Sequence, residues 1–346
     1  MDAYHGSVRL LPLNRVLPGL LMVNLAVQIL IVVTGGLVRL TGSGLGCSQW
    51  PQCEPGSYTP TLRPEDGIHP YVEFGNRLIG VVVGLVAVAV LYAVWRGVSG
   101  RGRATMLVLA AAVLVGTLAQ AVLGGISVIT ELNPVIVMSH FLISIALIVV
   151  STLLLLTYRR PDVTEFIHPP IPRAVRAVAC VAAAVGAVVI VLGTVVTGSG
   201  PHSGDADQPA RLGFDPRTVA WLHADSVMLF VGLVVAMVVA TGLLPSLARA
   251  RRPWRLVLTV SLAQGVLGYT QYATGVPVPL VSLHMLGACL LTATVTWGVH
   301  STVVGATAGA DPTASDQGEV EQWVDRDAKE HQGEITDRVV EEPHRT

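Results

Sequence analysis

Residues 72–95 read VEFGNRLIGVVVGLVAVAVLYAVW, and this stretch decides the class of the protein. Its two charged residues, Glu73 and Arg77, lie at the start of the stretch, and no charged residue follows before Trp95. About 20 consecutive, mostly apolar residues are enough for an α-helix to cross the hydrocarbon core of a bilayer. The stretch therefore predicts a membrane-spanning helix with a charged end.

Comparable apolar runs recur along the whole chain of 346 residues, of which 52% are hydrophobic and 13% charged, with a mean hydropathy of +0.62. Soluble domains carry about 25% charged residues, so this composition excludes a soluble enzyme, a disordered chain and a nucleic-acid binder. We predict an all-α polytopic membrane protein with eight transmembrane helices. The eight runs are 16–38, 72–95, 105–126, 135–158, 174–197, 218–244, 254–274 and 279–303.

Arginine is distributed unequally between the two sides of the predicted membrane. Thirteen arginines fall in the N-terminus and in the connections after the second, fourth and sixth runs, whereas five fall on the opposite side. Because cytoplasmic loops are rich in Lys and Arg, we expect a multi-pass protein of the cell membrane with both termini in the cytoplasm. The loops at 39–71 and 198–217 then face outward.

The runs and their breaks divide the chain into five segments. The tail is acidic, since residues 306–346 hold 11 acidic and 4 basic residues, and such a composition is typical of disorder. The predicted segments are a cytoplasmic N-terminus (1–15), an N-terminal four-helix half (16–158), a cytoplasmic linker (159–173), a C-terminal four-helix half (174–303) and a disordered cytoplasmic tail (304–346).

The two halves repeat each other. The motif AQAVLGG at 119–125 returns as AQGVLGY at 263–269, and TGSG at 41–44 returns at 197–200. Because each half has an even number of predicted spans, both halves enter the membrane the same way round. The repeat therefore predicts two pseudo-symmetric four-helix bundles related by an axis along the membrane normal.

Three of the ten histidines, His140, His223 and His284, lie inside apolar runs near their predicted outer ends. His140 and His284 occupy equivalent positions of the repeat, and Asn76 stands opposite His223 in it. Ionisable residues in membrane helices are costly and tend to be functional; a packing histidine bonded to a neighbouring helix is the alternative for each. Imidazole suits iron, and helix bundles commonly hold cofactors in their cores. His223 and His284 together therefore predict a bis-histidine haem site.

Three charged residues near the predicted outer surface are further candidates. Glu73 lies one turn before Asn76 on the same helix face, where a carboxylate can move protons or orient water; an interface carboxylate paired with Arg77 is the alternative. Arg39 and Arg77 lie where haem propionates would emerge, and arginine binds carboxylates well. Anchoring at the membrane interface is the alternative for both arginines.

Two of the four cysteines, Cys47 and Cys53, lie close together in the run GCSQWPQC of an outward loop. Close cysteines in an oxidising compartment favour a disulfide. A zinc site, for which only His69 offers a further ligand nearby, and two free thiols are the alternatives. Cys180 and Cys289 lie within apolar runs and are expected to be free.

With these motifs in place, the sequence resembles the haem A synthase family of bacteria and mitochondria. The resemblance is carried by GGLVRLTGSGLGC, by the WPQC that closes the first outer loop, by VEFGNRLIG, and by the two segments that begin AQ-x-V-L-G and reach a histidine. It covers about residues 16–303 and leaves out the acidic tail.

The resemblance implies an oxidoreductase that converts the C8 methyl group of haem O to a formyl group, by successive hydroxylations and loss of water. The product, haem A, serves cytochrome c oxidase. The resemblance also implies haem b as a cofactor held by His223 and His284, and substrate haem in the N-terminal half with His140 and Glu73. Many related sequences carry histidine where this one has Asn76, so we expect His140 to provide the main hold on the substrate iron; a weak ligand at Asn76, or His69 in its place, is the alternative to an open opposite face.

The resemblance also indicates the partners: haem O as substrate, membrane lipid, haem O synthase, cytochrome c oxidase assembly factors, and a second copy of the chain.

Two other functions compete with haem A synthesis. A non-catalytic di-haem electron carrier would use the same histidines, and a parallel-repeat transporter would bind substrate or protons at them. Clustering of the candidates near the outer surface speaks against the transporter.

Overall fold

The computed structural model describes residues 13–303 apart from 62, 64–66, 101, 160–170, 203 and 206–209. Within this part of the chain the protein is all-helical and has no extended strand. The predicted N-terminal segment, most of the linker 159–173 and the acidic tail lie outside the described residues. The helices are α1 (Leu13–Leu40), α2 (His69–Gly97), α3 (Arg103–Ile129), α4 (Pro134–Tyr158), α5 (Arg173–Ser199), α6 (Pro216–Leu243), α7 (Ala248–Ala273) and α8 (Val278–Val303).

Local sequence fixes where several of these helices begin. The side chain of Asn133 accepts a 3.0 Å hydrogen bond from the backbone N–H of Val135 at the start of α4. Asp215 does the same for Thr218 at the start of α6, at 2.8 Å. In both helices proline takes the first position, where its missing N–H and fixed φ cost nothing. Short polar side chains and prolines thus end the connections and start the apolar helices.

Seven of the eight helices are long and apolar enough to cross a membrane, which makes the chain a multi-pass membrane protein. The helix that falls short is α7, which begins six residues before the predicted run. It takes in arginines of the preceding connection, among them Arg251 and Arg252. The sequence therefore predicted the number of helices, whereas the prediction of eight spans is confirmed for seven of them.

The helices pack in two rings. Helix α1 packs against α2 and α4, and α3 packs against the same two helices; in the second ring α5 packs against α6 and α8, as does α7. Helices α1 and α3 therefore occupy opposite corners, as do α2 and α4, α5 and α7, and α6 and α8. The rings meet where α8 contacts α1 and α4, and where α4 contacts α5.

Each ring has its own apolar core, and a third cluster joins the rings. The end of the bundle that carries the Cys47–Cys53 loop is called the disulfide end, and the opposite end the far end. At the far end of the first ring, Leu17, Leu21, Val94 and Leu154 belong to one buried cluster. Between the rings, Val32, Ile148 and Cys289 form a small buried cluster.

Candidate functional site

His223 and His284 lie on α6 and α8, at opposite corners of the second ring. His223 Nδ1 lies 3.1 Å from the carbonyl oxygen of Val189. Because a carbonyl can only accept, Nδ1 carries the proton and Nε2 is the ring nitrogen available to a ligand. A backbone carbonyl that fixes the tautomer in this way is common for metal-binding histidines.

The second histidine of this pair is placed through its backbone. Gln264 on α7 donates a 2.8 Å hydrogen bond from Nε2 to the carbonyl oxygen of His284. Nδ1 of its imidazole is buried and has no hydrogen-bond partner among the described residues. A buried ring with an unpartnered nitrogen fits a site that receives a further group.

The first ring repeats this arrangement with the same spacing. Gln120 on α3 donates a 2.8 Å hydrogen bond from Nε2 to the carbonyl oxygen of His140 on α4, and it also bonds Ser144. His140 Nδ1 is likewise buried, with no partner in the described part of the chain. Across the ring, α2 supplies Asn76, whose Oδ1 accepts a 2.8 Å hydrogen bond from Thr34.

Glycines make room beside these histidines. A Cβ on Gly193 would lie 3.3 Å from His223 Cε1, and a Cβ on Gly124 or Gly268 would lie 3.5 Å from Cε1 of His140 or His284. An alanine would be tight at Gly193 and in ordinary contact at Gly124 and Gly268, and side chains larger than alanine would press on the imidazoles. The fixed tautomer of His223, the unpartnered nitrogen of His284 and the glycine contacts together fit a haem ligated by two histidines in the second ring.

The prediction of a disulfide between Cys47 and Cys53 is confirmed: the two sulfur atoms are bonded, and both residues are fully buried. The zinc alternative has no support, because no group of three or more His, Cys, Asp or Glu is placed to hold a metal in the described residues. His69, the other ligand considered for zinc, begins α2 and pairs through Nδ1 with Ser43 at 2.9 Å. Cys180 and Cys289 are free, as expected.

Glu73 and Arg77 hold the disulfide loop against α2. Glu73 is 5% exposed, and its Oε2 accepts a 2.8 Å hydrogen bond from the backbone N–H of Cys47. Its Oε1 receives the Arg77 guanidinium at 2.6 Å. Arg77 also donates to the carbonyl oxygens of Gln49 and Gln52. Both side chains predicted near the substrate are therefore engaged with the loop that closes this end of the ring.

Two close approaches complete the loop's attachment. The indole of Trp50 packs over Gly125 of α3, so closely that a Cβ there would lie within 3 Å of three ring atoms. Gly46 approaches the start of α2 in the same manner, with a Cβ position 2.5 Å from the carbonyl oxygen of His69. The loop thus contacts α2 and α3 above the histidine of the first ring.

Arg39 connects the two rings rather than standing free at the surface. Its Nε donates to the carbonyl oxygen of His202 at 2.8 Å, and its Nη2 donates to the carbonyl oxygen of Thr197 at 3.0 Å. Beside it, the backbone N–H of Gly44 donates to the carbonyl oxygen of Gly204 at 3.0 Å. The guanidinium predicted to meet a propionate is thus bonded to the end of α5 and to the connection that follows it in the other half.

With this geometry described, the sequence can be compared with known proteins. A family model of cytochrome oxidase assembly proteins, COX15-CtaA, matches residues 19–296. The chain belongs to the COX15-CtaA family. The match takes in all of the candidate residues, from Arg39 to His284, and leaves out the acidic tail.

Individual relatives in this family carry the name Heme A synthase. A protein of that name from Rhizorhabdus wittichii is 28% identical over 78% of this chain and 89% of its own length. One from Bacillus pumilus is 30% identical over 41% of this chain, and one from Geobacillus thermodenitrificans is 38% identical over 38%. These last two alignments span 46% and 41% of the relatives, which is less than half of each.

Sequence reasoning missed several residues of this region. Trp50 was noted only as part of the cysteine run, and its contact with Gly125 depends on the way the loop folds back onto α3. Asn24 and Gln28 were passed over inside the first apolar run, although two amides in a membrane helix are a signal in themselves. Both are almost completely buried within the first ring.

Proposed function

We propose that this protein is a haem A synthase, which oxidises the C8 methyl group of haem O to a formyl group and so supplies haem A to cytochrome c oxidase. The single observation that carries the proposal is the pair His223 and His284 at opposite corners of the second ring, within a chain of the COX15-CtaA family. The repeated contact of Gln120 and Gln264 with a histidine twenty residues later supports it.

The two rings are pseudo-symmetric four-helix bundles, and all eight helices cross the cell membrane with both termini in the cytoplasm. Supporting this, the equivalent glutamine, histidine and glycine contacts recur in both rings. Helix α7 packs against α6 and α8, which are both apolar enough to cross a membrane. The excess of arginine on one side sets the orientation.

The second ring would hold haem b through His223 and His284. When bound, this haem supplies one-electron transfer to or from the site in the first ring. The chain's own contribution is to fix the ligands: Val189 keeps the proton of His223 on Nδ1, and Gln264 holds the backbone of His284. The cluster around Val32, Ile148 and Cys289 keeps the rings in contact.

The first ring holds the substrate, haem O, through His140. Asn76 stands across the ring, and a neutral amide is a far weaker iron ligand than imidazole, so the iron face toward Asn76 stays open. The outward end is closed by the disulfide loop, which Glu73 and Arg77 hold in place. Closure excludes bulk water from the substrate, and Glu73 is the carboxylate nearest in sequence to Asn76 that can accept a proton.

Haem O synthase and cytochrome c oxidase assembly factors are the proposed partners, because haem O must arrive from one enzyme and haem A must reach another. A second copy of the chain is a further proposed partner. Arg39 acts toward a propionate only through the donors that its bonds to His202 and Thr197 leave unused. Arg77 directs all five of its N–H donors at Glu73, Gln49 and Gln52, so it would have to give up a loop contact to bind a propionate.

Formation of haem A from haem O in a host that lacks its own synthase tests this function. The full chain is expressed with haem O synthase, and extracted haems are separated and identified by mass. We expect haem A with the native chain, and none with the His140→Ala variant at equal protein level. A haem spectrum without any haem A would favour the electron carrier instead, and absence of bound haem would overturn both.

A further inference from the structure

A hydrogen bond between α1 and α2 fixes the side chain of Asn76. Thr34 Oγ1 lies 2.8 Å from Asn76 Oδ1, 3.1 Å from the carbonyl oxygen of Leu30 and 3.3 Å from that of Ile31. Those two carbonyls already accept backbone hydrogen bonds within α1, whereas Asn76 Oδ1 has no other donor in the described part of the chain. The single hydroxyl hydrogen of Thr34 therefore goes to Asn76, at the shortest of the three distances.

This bond decides what the amide can do inside the ring. An asparagine side chain has one oxygen that accepts and one nitrogen, Nδ2, that carries two N–H donors and presents no lone pair to a metal. With Oδ1 turned toward Thr34, Nδ2 is the polar atom that remains, and none of the described residues accepts from it. A Cβ on Gly35 would lie 3.7 Å from Nδ2, so the glycine leaves this nitrogen uncovered. Asn76 is therefore set as a hydrogen-bond donor and not as an iron ligand.

Asn76 lies at the same depth as the histidine across the ring. Counted from the disulfide end, Asn76 follows the first residue of α2 by seven residues, and His140 follows the first residue of α4 by six. At 1.5 Å per residue these depths are about 10 Å and about 9 Å. The proposed ligands of the second ring have the same counts, seven for His223 on α6 and six for His284 on α8. Asn76 thus takes the place in its ring that His223 takes in the other.

The second ring fixes the residue at this place in a different way. The carbonyl oxygen of Val189 on α5 holds Nδ1 of His223, which leaves Nε2 with a lone pair for a ligand bond. Thr34 precedes the first TGSG motif by seven residues, and the residue that precedes the second motif by seven is Ile190, which has no hydroxyl. The histidine thus has an apolar neighbour on the preceding helix, and the asparagine has a hydroxyl neighbour. The two exchanges together replace a side chain that offers a lone pair with one that offers a donor.

The inside of the first ring has room one turn away from this amide. Gly80 lies on the stripe of α2 that also carries the buried residues Val83 and Ala87. No heavy atom in the described part of the chain comes within 4 Å of a Cβ placed on Gly80. The aligned position of the second ring holds Val227, which packs against the apolar core of that ring. The first ring is therefore the roomier of the two on the side of Asn76.

We propose that Asn76 donates a hydrogen bond to a small molecule bound to the substrate iron on the side opposite His140, and that Thr34 is the residue that orients the amide. This inference rests on the proposed function. Hydrogen-bond donors beside an open iron face help to decide which small ligands bind there and what becomes of them. A ligand with lone pairs on its outer atoms can accept from Nδ2, whereas in the second ring His223 itself fills the corresponding place.

A role in joining α1 to α2 accounts for only half of this amide. The bond between the helices uses Oδ1 and the hydroxyl of Thr34, and it leaves both N–H donors of Nδ2 without a described acceptor. Unpaired donors are costly at membrane depth, where water does not replace the missing bond. Polar side chains inside membrane helices accordingly tend to mark functional sites, and here the free donors lie on the side where the substrate iron is left open.

Binding of small ligands to the full-length chain loaded with haem O tests the proposal. Two imidazoles would saturate the iron of the second ring, so azide added to the ferric protein, and carbon monoxide added after reduction without oxygen, report the first ring. Azide affinity is measured by absorption, and the stretching frequency of bound carbon monoxide by infrared spectroscopy. The variants are Asn76→Leu, Thr34→Val and the two combined. The matched control is Thr152→Val, since the buried hydroxyl of Thr152 bonds the carbonyl of Ile148 on its own helix.

We expect Asn76→Leu to weaken azide binding by about tenfold, the value of one net hydrogen bond, and to raise the stretching frequency, which a nearby donor lowers. Thr34→Val should cause part of this loss, and no further loss when Asn76 is already leucine, since Thr34 acts through the amide. The control should match the native chain. Asn76→His should instead give a low-spin iron that excludes both ligands, because imidazole would then bind the open face.

Unchanged azide affinity and stretching frequency in Asn76→Leu would overturn the inference. An Asn76→His variant whose first-ring iron stays open to both ligands would overturn it as well, because the residue would not face the iron. Thermal unfolding and gel filtration show whether each variant folds, and Thr34→Val and Asn76→His probe the same place with different changes. A native chain that takes up no haem O in its first ring would instead overturn the proposed function, so the two failures are distinguishable.

Discussion

The carboxylate of Glu73 accepts a 2.8 Å hydrogen bond from the backbone N–H of Cys47, so the first turns of α2 are joined directly to the disulfide loop. Arg77 reinforces this joint from the other side of the same carboxylate. Glu73 therefore positions the loop in addition to any role in proton transfer. A substitution of Glu73 therefore affects both the position of the loop and any proton transfer. The rate at which the disulfide is reduced reports the position of the loop alone.

Replacing Glu73 with alanine should make the disulfide easier to reduce. Both cysteines are fully buried, so a reductant reaches them only when the loop opens. Loss of a charge-assisted bond to Cys47 should raise the rate of reduction by at least about tenfold. The rate is measured by mass after quenching with a thiol reagent. Glu54→Ala is the control, because Glu54 bonds Thr61 and Arg63 within the loop segment itself. An unchanged rate in Glu73→Ala would refute the positioning role.

Replacing either His223 or His284 with alanine should remove the low-spin haem signal of the second ring. Two imidazole ligands would give a bound haem its low-spin state, and neither Val189 nor Gln264 could substitute for them. Absorption and electron paramagnetic resonance spectra of the purified variants measure the effect. His300→Ala serves as the control, because His300 lies in the last turn of α8, far from His284. Intact low-spin haem in both single variants would show that the ligands lie elsewhere.

Replacing His140 with alanine should abolish haem A formation and leave the haem of the second ring in place, since His140 belongs to the first ring and His223 and His284 belong to the second. Asn76→Ala should be milder, because an amide contributes little to holding iron. Glu73→Ala should also abolish product formation. Haem extraction and the spectrum of the remaining haem report the two sites separately. If Asn76→Ala is as damaging as His140→Ala at full protein level, Asn76 acts directly on the substrate.

Acidification should weaken the contact between Arg39 and His202, in the connection between α5 and α6. Partial burial, and then the nearby Arg39 guanidinium, lower the pKa of His202 from its usual 6.5. The unfolded chain therefore binds this proton more readily than the folded chain, and stability falls as the pH drops below 6.5 toward the lower folded value. Above 6.5 the residue contributes no pH dependence.

The measurement for this contact is the thermal unfolding midpoint in detergent between about pH 5 and 8. In the His202→Gln variant the acid-side decline should become smaller by no more than about 2 °C, because the side chain is partly exposed and solvent screens it. A decline identical to that of the native chain would show that other groups cause it.

The sequence predicted most of the fold because membrane helices depend on a local property. Long apolar runs bounded by charged, proline or glycine residues place each helix to within a few residues. The exception is α7, where the arginines before Trp254 continue the helix instead of ending it, since lysine and arginine are good helix formers. His69 fell within the predicted loop 39–71, yet it begins α2 and is followed by Pro70, since proline is favoured in the first turn of a helix.

The candidate site could be predicted only in part. Repeated spacing identified His140 and His284, since equivalent positions in a repeat acquire equivalent surroundings. The partners of Arg39 and Arg77 could not be read from the chain, because both bond backbone carbonyls of distant loops, and a carbonyl has no sequence signature. The bond between Gln28 and Thr117 escaped for a related reason: the two residues are 89 positions apart in the sequence and meet only when two opposite helices close around one interior.

The buried disulfide sets an order for the biogenesis of the protein. Once the loop has docked on Glu73 and Trp50 has covered Gly125, both cysteines are out of reach of an oxidising enzyme. The bond therefore forms most readily on the hairpin of α1 and α2 before α3 is in place to receive Trp50, since afterwards the loop has to open to admit an oxidant. A cell that oxidises this hairpin late would accumulate chains whose loop has closed over reduced thiols, and such chains would need to reopen before they could be corrected.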